Sequence, residues 1–150
     1  MTEREVIDQF LAQENLAVFG VSRGGKKFGN AVYKDLKEKG WNVFAVNPNS
    51  DEIEGDKCYR DINGLPEKVT GAVLCIQPEE SSKVVKNLFE KGITNIWLQQ
   101  GAESKEAVSF CEENKMNIVY GRCVMMFSEP VKGGHKIHRW VNKVFGKMPE

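Results

Sequence analysis

The stretch LAVFGVSRGGKKFGNAVY, residues 16–33, decides the fold of this chain. Its apolar run at 16–19 predicts a buried strand, a turn rich in glycine and lysine follows from Gly20, and an apolar helical pattern begins at Ala31 and Val32. This order of strand, glycine turn and helix start is typical of anion sites in α/β proteins, because the free N–H groups at a helix N-terminus point at the anion. It therefore predicts a loop that binds a phosphate-bearing ligand.

The turn departs from the known nucleotide fingerprints. A dinucleotide loop has glycine where Ser22 stands, and its next strand ends at an acidic residue, whereas the strand at 41–46 ends at Asn47-Pro48. A tight turn that needs glycine for its backbone and lysine for solubility therefore stays open as the alternative. The residues that favour a phosphate site are small, hydroxylic or cationic: Gly20, Ser22, Arg23, Gly24, Gly25, Lys26, Lys27 and Gly29.

Length and composition are those of a single globular domain. The chain has 150 residues, is 41% hydrophobic and 28% charged, and carries a formal net charge of zero. A neutral chain disfavours nucleic acid as a partner, because affinity for the phosphate backbone usually requires a basic face. No apolar run reaches the length of a membrane span, and the polar start MTEREVIDQF is unlike a signal peptide. We expect a cytoplasmic protein without a membrane partner.

Strand and helix patterns alternate along the chain. After an opening helix at 2–13, strands are predicted at 16–21, 41–46, 71–76, 95–98 and 117–120, with helices at about 30–39, 79–91 and 103–114. Residues 53–59 are predicted as an extended excursion and residues 61–65 as a helical turn. The alternation predicts an α/β fold with a mostly parallel five-stranded sheet, covered by helices on both faces.

Four predicted strands end in polar or conformationally special residues. In parallel sheets, ligands bind at the carboxyl ends of the strands, near the point where the strand order reverses. We therefore expect the four strand ends to converge on one edge of the sheet and to form the binding site there. They are Gly20-Val21-Ser22, Asn47-Pro48, Gln77-Pro78 and Gln99-Gln100.

The last part of the chain departs from the alternation. Residues 1–127 are predicted as the domain, and residues 128–150 as a helical extension packed on or near it. Residues 135–145 read as an amphipathic helix, with Ile137, Trp140 and Val144 among its apolar residues. Its cations are more often a solvated face than a surface for membrane or nucleic acid.

No convincing catalytic set occurs in the sequence. His135 and His138 are remote from every strand end, and the strand ends offer Asn, Pro and Gln, which do not titrate near neutral pH. The four cysteines are scattered without a C-x-x-C motif, so no metal site is predicted. The sequence therefore predicts a binding protein that is not an enzyme.

Several motifs along the chain resemble a known family. The segments GVSRGGKKFGNAV, VFAVNP, GDKCY, WLQQGA and GRC, spread over about residues 13–127, resemble the single-domain CoA-binding proteins. That family is similar to the CoA-binding domain of the succinyl-CoA synthetase alpha subunit. The resemblance implies a single Rossmann-like domain that holds coenzyme A across the strand ends. The phosphohistidine of the synthetase lies in another domain, so its ligase activity is not implied.

The resemblance also implies ligand contacts by position. Asn47 and Pro48 would border the adenosine, Ile76 and Pro78 would line the ligand from the third strand, and Gln99 from the fourth. The family usually has Asp-Pro or a similar pair where Gly24-Gly25 stand, which predicts a more mobile loop and a lower affinity. The phosphates and the start of the pantetheine arm would contact Gly20, Ser22, Arg23, Lys27 and Gly29.

Three hypotheses of function follow. The first is non-catalytic binding of CoA or an acyl-CoA, in a sensor or regulator that signals to a protein partner. The second is an NAD(P)-binding redox sensor or reductase, against which Asn47 counts, because it stands at the position of the acidic residue. The third is an interaction module in which the core is a scaffold and the basic C-terminal helix is the working surface.

Deletion of residues 128–150 separates the first hypothesis from the third. If the strand-end site is the function, the shortened chain keeps its affinity for CoA, because all the predicted contacts precede the deletion. Isothermal titration of both chains checks this. Loss of CoA binding by a shortened chain with an unchanged circular dichroism spectrum would contradict it.

Overall fold

The computed structural model describes residues 2–129, so the helix predicted at 135–145 and most of the predicted extension at 128–150 lie outside the described residues. Strands and helices alternate within that range. The helices are α1 (Glu3–Leu11), α2 (Phe28–Glu38), α3 (Pro78–Lys91) and α4 (Lys105–Glu113). The strands are β1 (Asn15–Phe19), β2 (Asn42–Val46), β3 (Glu52–Ile53), β4 (Asp56–Tyr59), β5 (Gly71–Leu74), β6 (Asn95–Gln99) and β7 (Asn117–Arg122).

The strands form one sheet with the order β3-β4-β2-β1-β5-β6-β7. All neighbouring strands are parallel except β3 and β4, which are antiparallel. The chain builds outward from β1 through β2 and then returns to place β5 on the other side of β1. The strand order therefore reverses between β1 and β5. The α/β class and the mostly parallel sheet predicted from the sequence are confirmed.

The predicted number of five strands is wrong, because the segment predicted as an extended excursion at 53–59 forms two further strands of the sheet together with Glu52. A hairpin pairs Ile53 with Asp56 around the two-residue turn Glu54-Gly55, in which both residues have positive φ, 54° and 78°. Such a turn matches the right-handed twist of its flanking strands. β4 then adds in parallel to β2 and brings the sheet to seven strands.

The helices cover both faces of the sheet. α1 begins at a capping box, in which the Glu5 N–H donates to Thr2 Oγ1 over 3.1 Å. It packs with α2 on one face, where the rings of Phe10 and Trp97 meet edge to face with 5.3 Å between their centroids. α3 and α4 cover the other face through residues such as Leu88. No helix within residues 2–129 is long and apolar enough to cross a membrane.

Two glycines let the chain cross itself tightly at the end of β1. A Cβ on Gly20, whose φ is +98°, would lie 2.1 Å from the carbonyl oxygen of Cys75, which follows β5. A Cβ on Gly29, in the first turn of α2, would lie 2.3 Å from the carbonyl oxygen of Gly20. Both distances are far below any real Cβ contact. The start of α2 therefore rests directly on the backbone at the end of β1.

We predict that Gly29→Ala destabilises the protein, although alanine favours a helix over glycine by about 1 kcal/mol. The added methyl group meets backbone rather than a movable side chain, so the free energy of unfolding should fall by about 1–3 kcal/mol. Denaturant unfolding measures the change. Gly24→Ala is the matched control, since its Cβ would have no atom nearer than Ser22 Oγ at 4.0 Å. Equal stability of the two variants would contradict the prediction.

Candidate functional site

A large cleft opens at the carboxyl edge of the sheet, beside the reversal of strand order between β1 and β5. Its volume is about 1070 Å³, slightly above the usual range for small-molecule sites. The ends of β1, β2, β5 and β6, the start of α2 and one side of α3 line it. The convergence of the four polar strand ends on one edge is thereby confirmed.

Most of the residues predicted to contact a ligand line this cleft. The residues that the structure does not bring to its lining are Ser22, Arg23 and Pro78. The ligand contacts assigned to all ten residues stay predictions. Those that line the cleft are Gly20, Lys27, Gly29, Asn47, Pro48, Ile76 and Gln99.

Two helices begin in the cleft without a side-chain cap. Lys27 and Gln77 are the N-cap residues of α2 and α3, and neither makes a capping hydrogen bond through its side chain. The N–H groups of Phe28 and Gly29 make no hydrogen bond within residues 2–129. α2 has no acidic residue in its first turn, whereas α3 has two. The start of α2 is therefore the more favourable place for an anion.

Asn47 shapes the cleft by joining two loops. Its Nδ2 donates to the carbonyl oxygen of Val21 over 2.8 Å, and its Oδ1 accepts from the N–H of Asn49 over 2.8 Å. Its own N–H donates to the carbonyl oxygen of Tyr59. The side chain is thus engaged on both atoms, and it holds the ends of β1 and β2 at a fixed separation.

Gln99 has a similar role on the other side of the cleft. Only 2% of the residue is exposed. Its Oε1 accepts from the N–H of Val124 over 2.7 Å, and its Nε2 donates to Cys123 Sγ over 3.4 Å. The glutamine therefore ties the end of β6 to the segment that follows β7.

Asn30 was not predicted as part of the site, and its side chain explains the position of Ser22. The N–H and the hydroxyl of Ser22 both donate to Asn30 Oδ1, over 3.0 and 3.3 Å. Asn30 Nδ2 donates back to the carbonyl oxygen of Ser22 over 2.9 Å. The Ser22 hydroxyl thus serves the shape of the loop. Asparagine on a helix carries no sequence signal for such a contact.

Phe28 and Arg60 also line the cleft and were not predicted. Phe28 is the first residue of α2, and 54% of it is exposed, so it offers an apolar surface at the opening. The Arg60 side chain donates to Asp51 Oδ1 over 2.6 Å and to the carbonyl oxygen of Pro48 over 3.3 Å. This hydrogen bond, with the charge of Arg60, lowers the pKa of Asp51. Phe28 lies inside the quoted motif GVSRGGKKFGNAV, so the motif could have identified it as a residue of the site. Arg60 follows GDKCY in a polar segment, where no sequence feature indicated a place in the cleft.

A parallel sheet with its cleft at the strand ends, a glycine turn and an open helix start defines a Rossmann-like ligand-binding domain. The sequence comparisons identify the family. The model of the CoA binding domain family matches residues 14–129, and the chain belongs to that family.

The acetate–CoA ligases that are similar to this chain are much longer than it is. The chain is 28% identical over 130 residues to the alpha subunit of an ADP-forming acetate–CoA ligase II from Pyrococcus furiosus, an alignment of 79% of the chain and 28% of the subunit. It is 30% identical over 136 residues to an ADP-forming acetate–CoA ligase from Methanocaldococcus jannaschii, of which it covers 19%; 90% of the chain is aligned. The chain thus spans less than a third of these ligases.

Solved structures include similar proteins of comparable size. A conserved hypothetical protein from Pyrococcus furiosus is 42% identical, with a TM-score of 0.71, and the match covers 75% of this chain and 97% of that one. The match of the family model confirms the resemblance to CoA-binding proteins that the sequence motifs indicated.

Cys75 lines the cleft as a thiol that burial keeps neutral. Burial raises its pKa to about 12, so at pH 8 only on the order of one molecule in ten thousand carries the thiolate. We predict that iodoacetamide alkylates Cys75 far more slowly in the folded protein than in denaturant, where the pKa returns to about 8.5. Peptide mapping by mass spectrometry measures both rates at pH 8. Equal rates would contradict the raised pKa.

Proposed function

We propose that this protein binds coenzyme A, or an acyl-CoA, in the cleft at the carboxyl ends of its strands and performs no chemistry on it. The observation that carries the proposal is the open start of α2 in a member of the CoA binding domain family: Phe28 and Gly29 line the cleft beside Lys27, and their N–H groups make no hydrogen bond within residues 2–129. Unpaired N–H groups and a cation suit a pyrophosphate.

Two glutamines of the lining suit the neutral parts of such a ligand. The side-chain amides of Gln77 and Gln100 line the cleft and make no hydrogen bond within residues 2–129. They stand at the ends of β5 and β6, on the path from the start of α2 across the sheet. Carboxamides both donate and accept, which matches the two amide groups of a pantetheine arm.

The proposal includes no reaction in the cleft. Its thiol, Cys75, is held neutral by burial and is a poor nucleophile in that state. The curated ligases are several times longer than this chain, so their activity is not transferred to it. We extend the proposal to a CoA sensor in the cytoplasm that reports ligand occupancy to a protein partner.

Isothermal titration tests the proposal. CoA should bind with micromolar affinity, while NAD and NADP give no heat, and acetyl-CoA in a parallel titration shows whether an acyl form is accepted. Lys27→Ala should weaken CoA binding by about three- to tenfold, because it removes a cation next to a phosphate group. Lys26→Ala is the matched control: it removes the same charge from the neighbouring residue, which does not line the cleft.

Equal losses in the two lysine variants would mean that only the general charge of the loop matters. Heat from NAD with none from CoA would overturn the proposal in favour of a redox protein. No heat from any of the four ligands would leave the scaffold hypothesis.

A further inference from the structure

Glu54 occupies a backbone conformation that a glutamate seldom adopts. It is the first residue of the turn between β3 and β4, with a φ of +54°, where asparagine, aspartate or glycine is usual. The Cβ of any residue other than glycine incurs a steric cost there, which asparagine and aspartate partly offset by local hydrogen bonds of their short polar side chains. Since Gly55 follows, an Asn-Gly pair would form the same turn with less strain. The turn itself therefore does not explain why a glutamate stands at this position, which leaves the contacts of its side chain outside the turn.

Its carboxylate reaches the glycine turn between β1 and α2, residues 20–27, which we call the ligand loop. Glu54 Oε2 accepts from Asn30 Nδ2 over 2.9 Å, and Glu54 Oε1 lies 3.7 Å from Lys34 Nζ. A Cβ on Gly25 would be 3.7 Å from Glu54 Oε2, so the carboxylate also lies against the glycine turn. The tip of the hairpin thus packs over the loop that starts at Gly20.

Asn30 passes this contact on to the loop. Only 1% of the residue is exposed, and its amide makes four hydrogen bonds, three to Ser22 and one to Glu54. Ser22 in turn accepts the N–H of Gly25 at its carbonyl oxygen over 3.2 Å, which closes the turn. Glu54, Asn30 and Ser22 therefore form a chain of hydrogen bonds from the hairpin to the turn that precedes Lys27.

We propose that Glu54 is a positioning residue for the ligand loop: by accepting from Asn30 Nδ2 it orients the amide that fixes Ser22, and so holds the start of α2 ready for the phosphates. This rests on the proposed function, because it assumes that the loop holds the phosphates of CoA. Glu54 itself is not among the residues that line the cleft.

A second anchor between the same hairpin and the same helix provides the control. Asp56 Oδ2 accepts from the Tyr33 hydroxyl over 2.9 Å and from Lys37 Nζ over 2.5 Å. The hydrogen bonds and the charge of Lys37 are also what lowers the pKa of Asp56. None of these contacts reaches Ser22. If the hairpin only needs attachment to α2, loss of either anchor should have the same effect.

The test is Glu54→Asn against Asp56→Asn, with three measurements on the full chain. An Asn-Gly pair is a better turn than Glu-Gly, so the urea midpoint of E54N should be unchanged or higher. The shorter asparagine side chain no longer reaches Asn30, so the CoA affinity of E54N should fall by about tenfold. Amide hydrogen exchange of Ser22 in the ligand-free protein should accelerate. D56N should leave CoA affinity and Ser22 exchange at wild-type values.

The outcomes separate this inference from the proposed function. If wild type binds CoA and E54N binds it equally well, Glu54 has no positioning role. Equal losses of affinity in E54N and D56N would mean that hairpin attachment alone matters, and would also overturn the inference. If wild type does not bind CoA, the proposed function fails; faster Ser22 exchange in E54N alone would then still support the Glu54–Asn30–Ser22 link, and unchanged exchange would overturn it.

Discussion

The close approach of Gly29 to the backbone of Gly20 is the constraint on which the site depends. Because neither residue has a Cβ, the first turn of α2 rests on the end of β1, and the end of β1 rests on the chain after β5. This crossing lies where the strand order reverses, so it sets Phe28 and Gly29, whose N–H groups have no partner within residues 2–129, at the edge of the cleft. A side chain at Gly29 would push the start of α2 away from that edge, and one at Gly20 would push the end of β1 away from the chain after β5.

Around this crossing, the residues that shape the cleft are distinct from those that face it with unused polar groups. The side chains of Asn30, Asn47 and Gln99 are engaged in hydrogen bonds to neighbouring loops. Gln77 and Gln100 line the cleft with their amides unpaired within the described part of the chain. The first set keeps the cleft open and rigid without ligand, which reduces the entropy lost on binding.

Local signals in the sequence predicted the sheet, the helices and the position of the cleft. The spacing of apolar residues indicates strands and helices, glycines mark turns, and polar residues at strand ends mark the edge where a ligand binds. The hairpin was missed because Glu54-Gly55 lacks the usual turn residue at its first position. Asn30 was missed because its partner Glu54 lies 24 residues away. The hydrogen bonds that both donors of Ser22 make to Asn30 were also missed, because only the fold brings the two residues together.

In our proposal, the start of α2 receives the phosphates of CoA. The most direct measurement is a two-dimensional amide NMR titration of the full chain with CoA. Shifts should be largest for the N–H groups of Phe28 and Gly29 and should extend to Gln77 and Gln100 at the ends of the neighbouring strands. Unchanged Phe28 and Gly29 signals at saturating CoA, or shifts confined to residues outside the cleft, would contradict the claim.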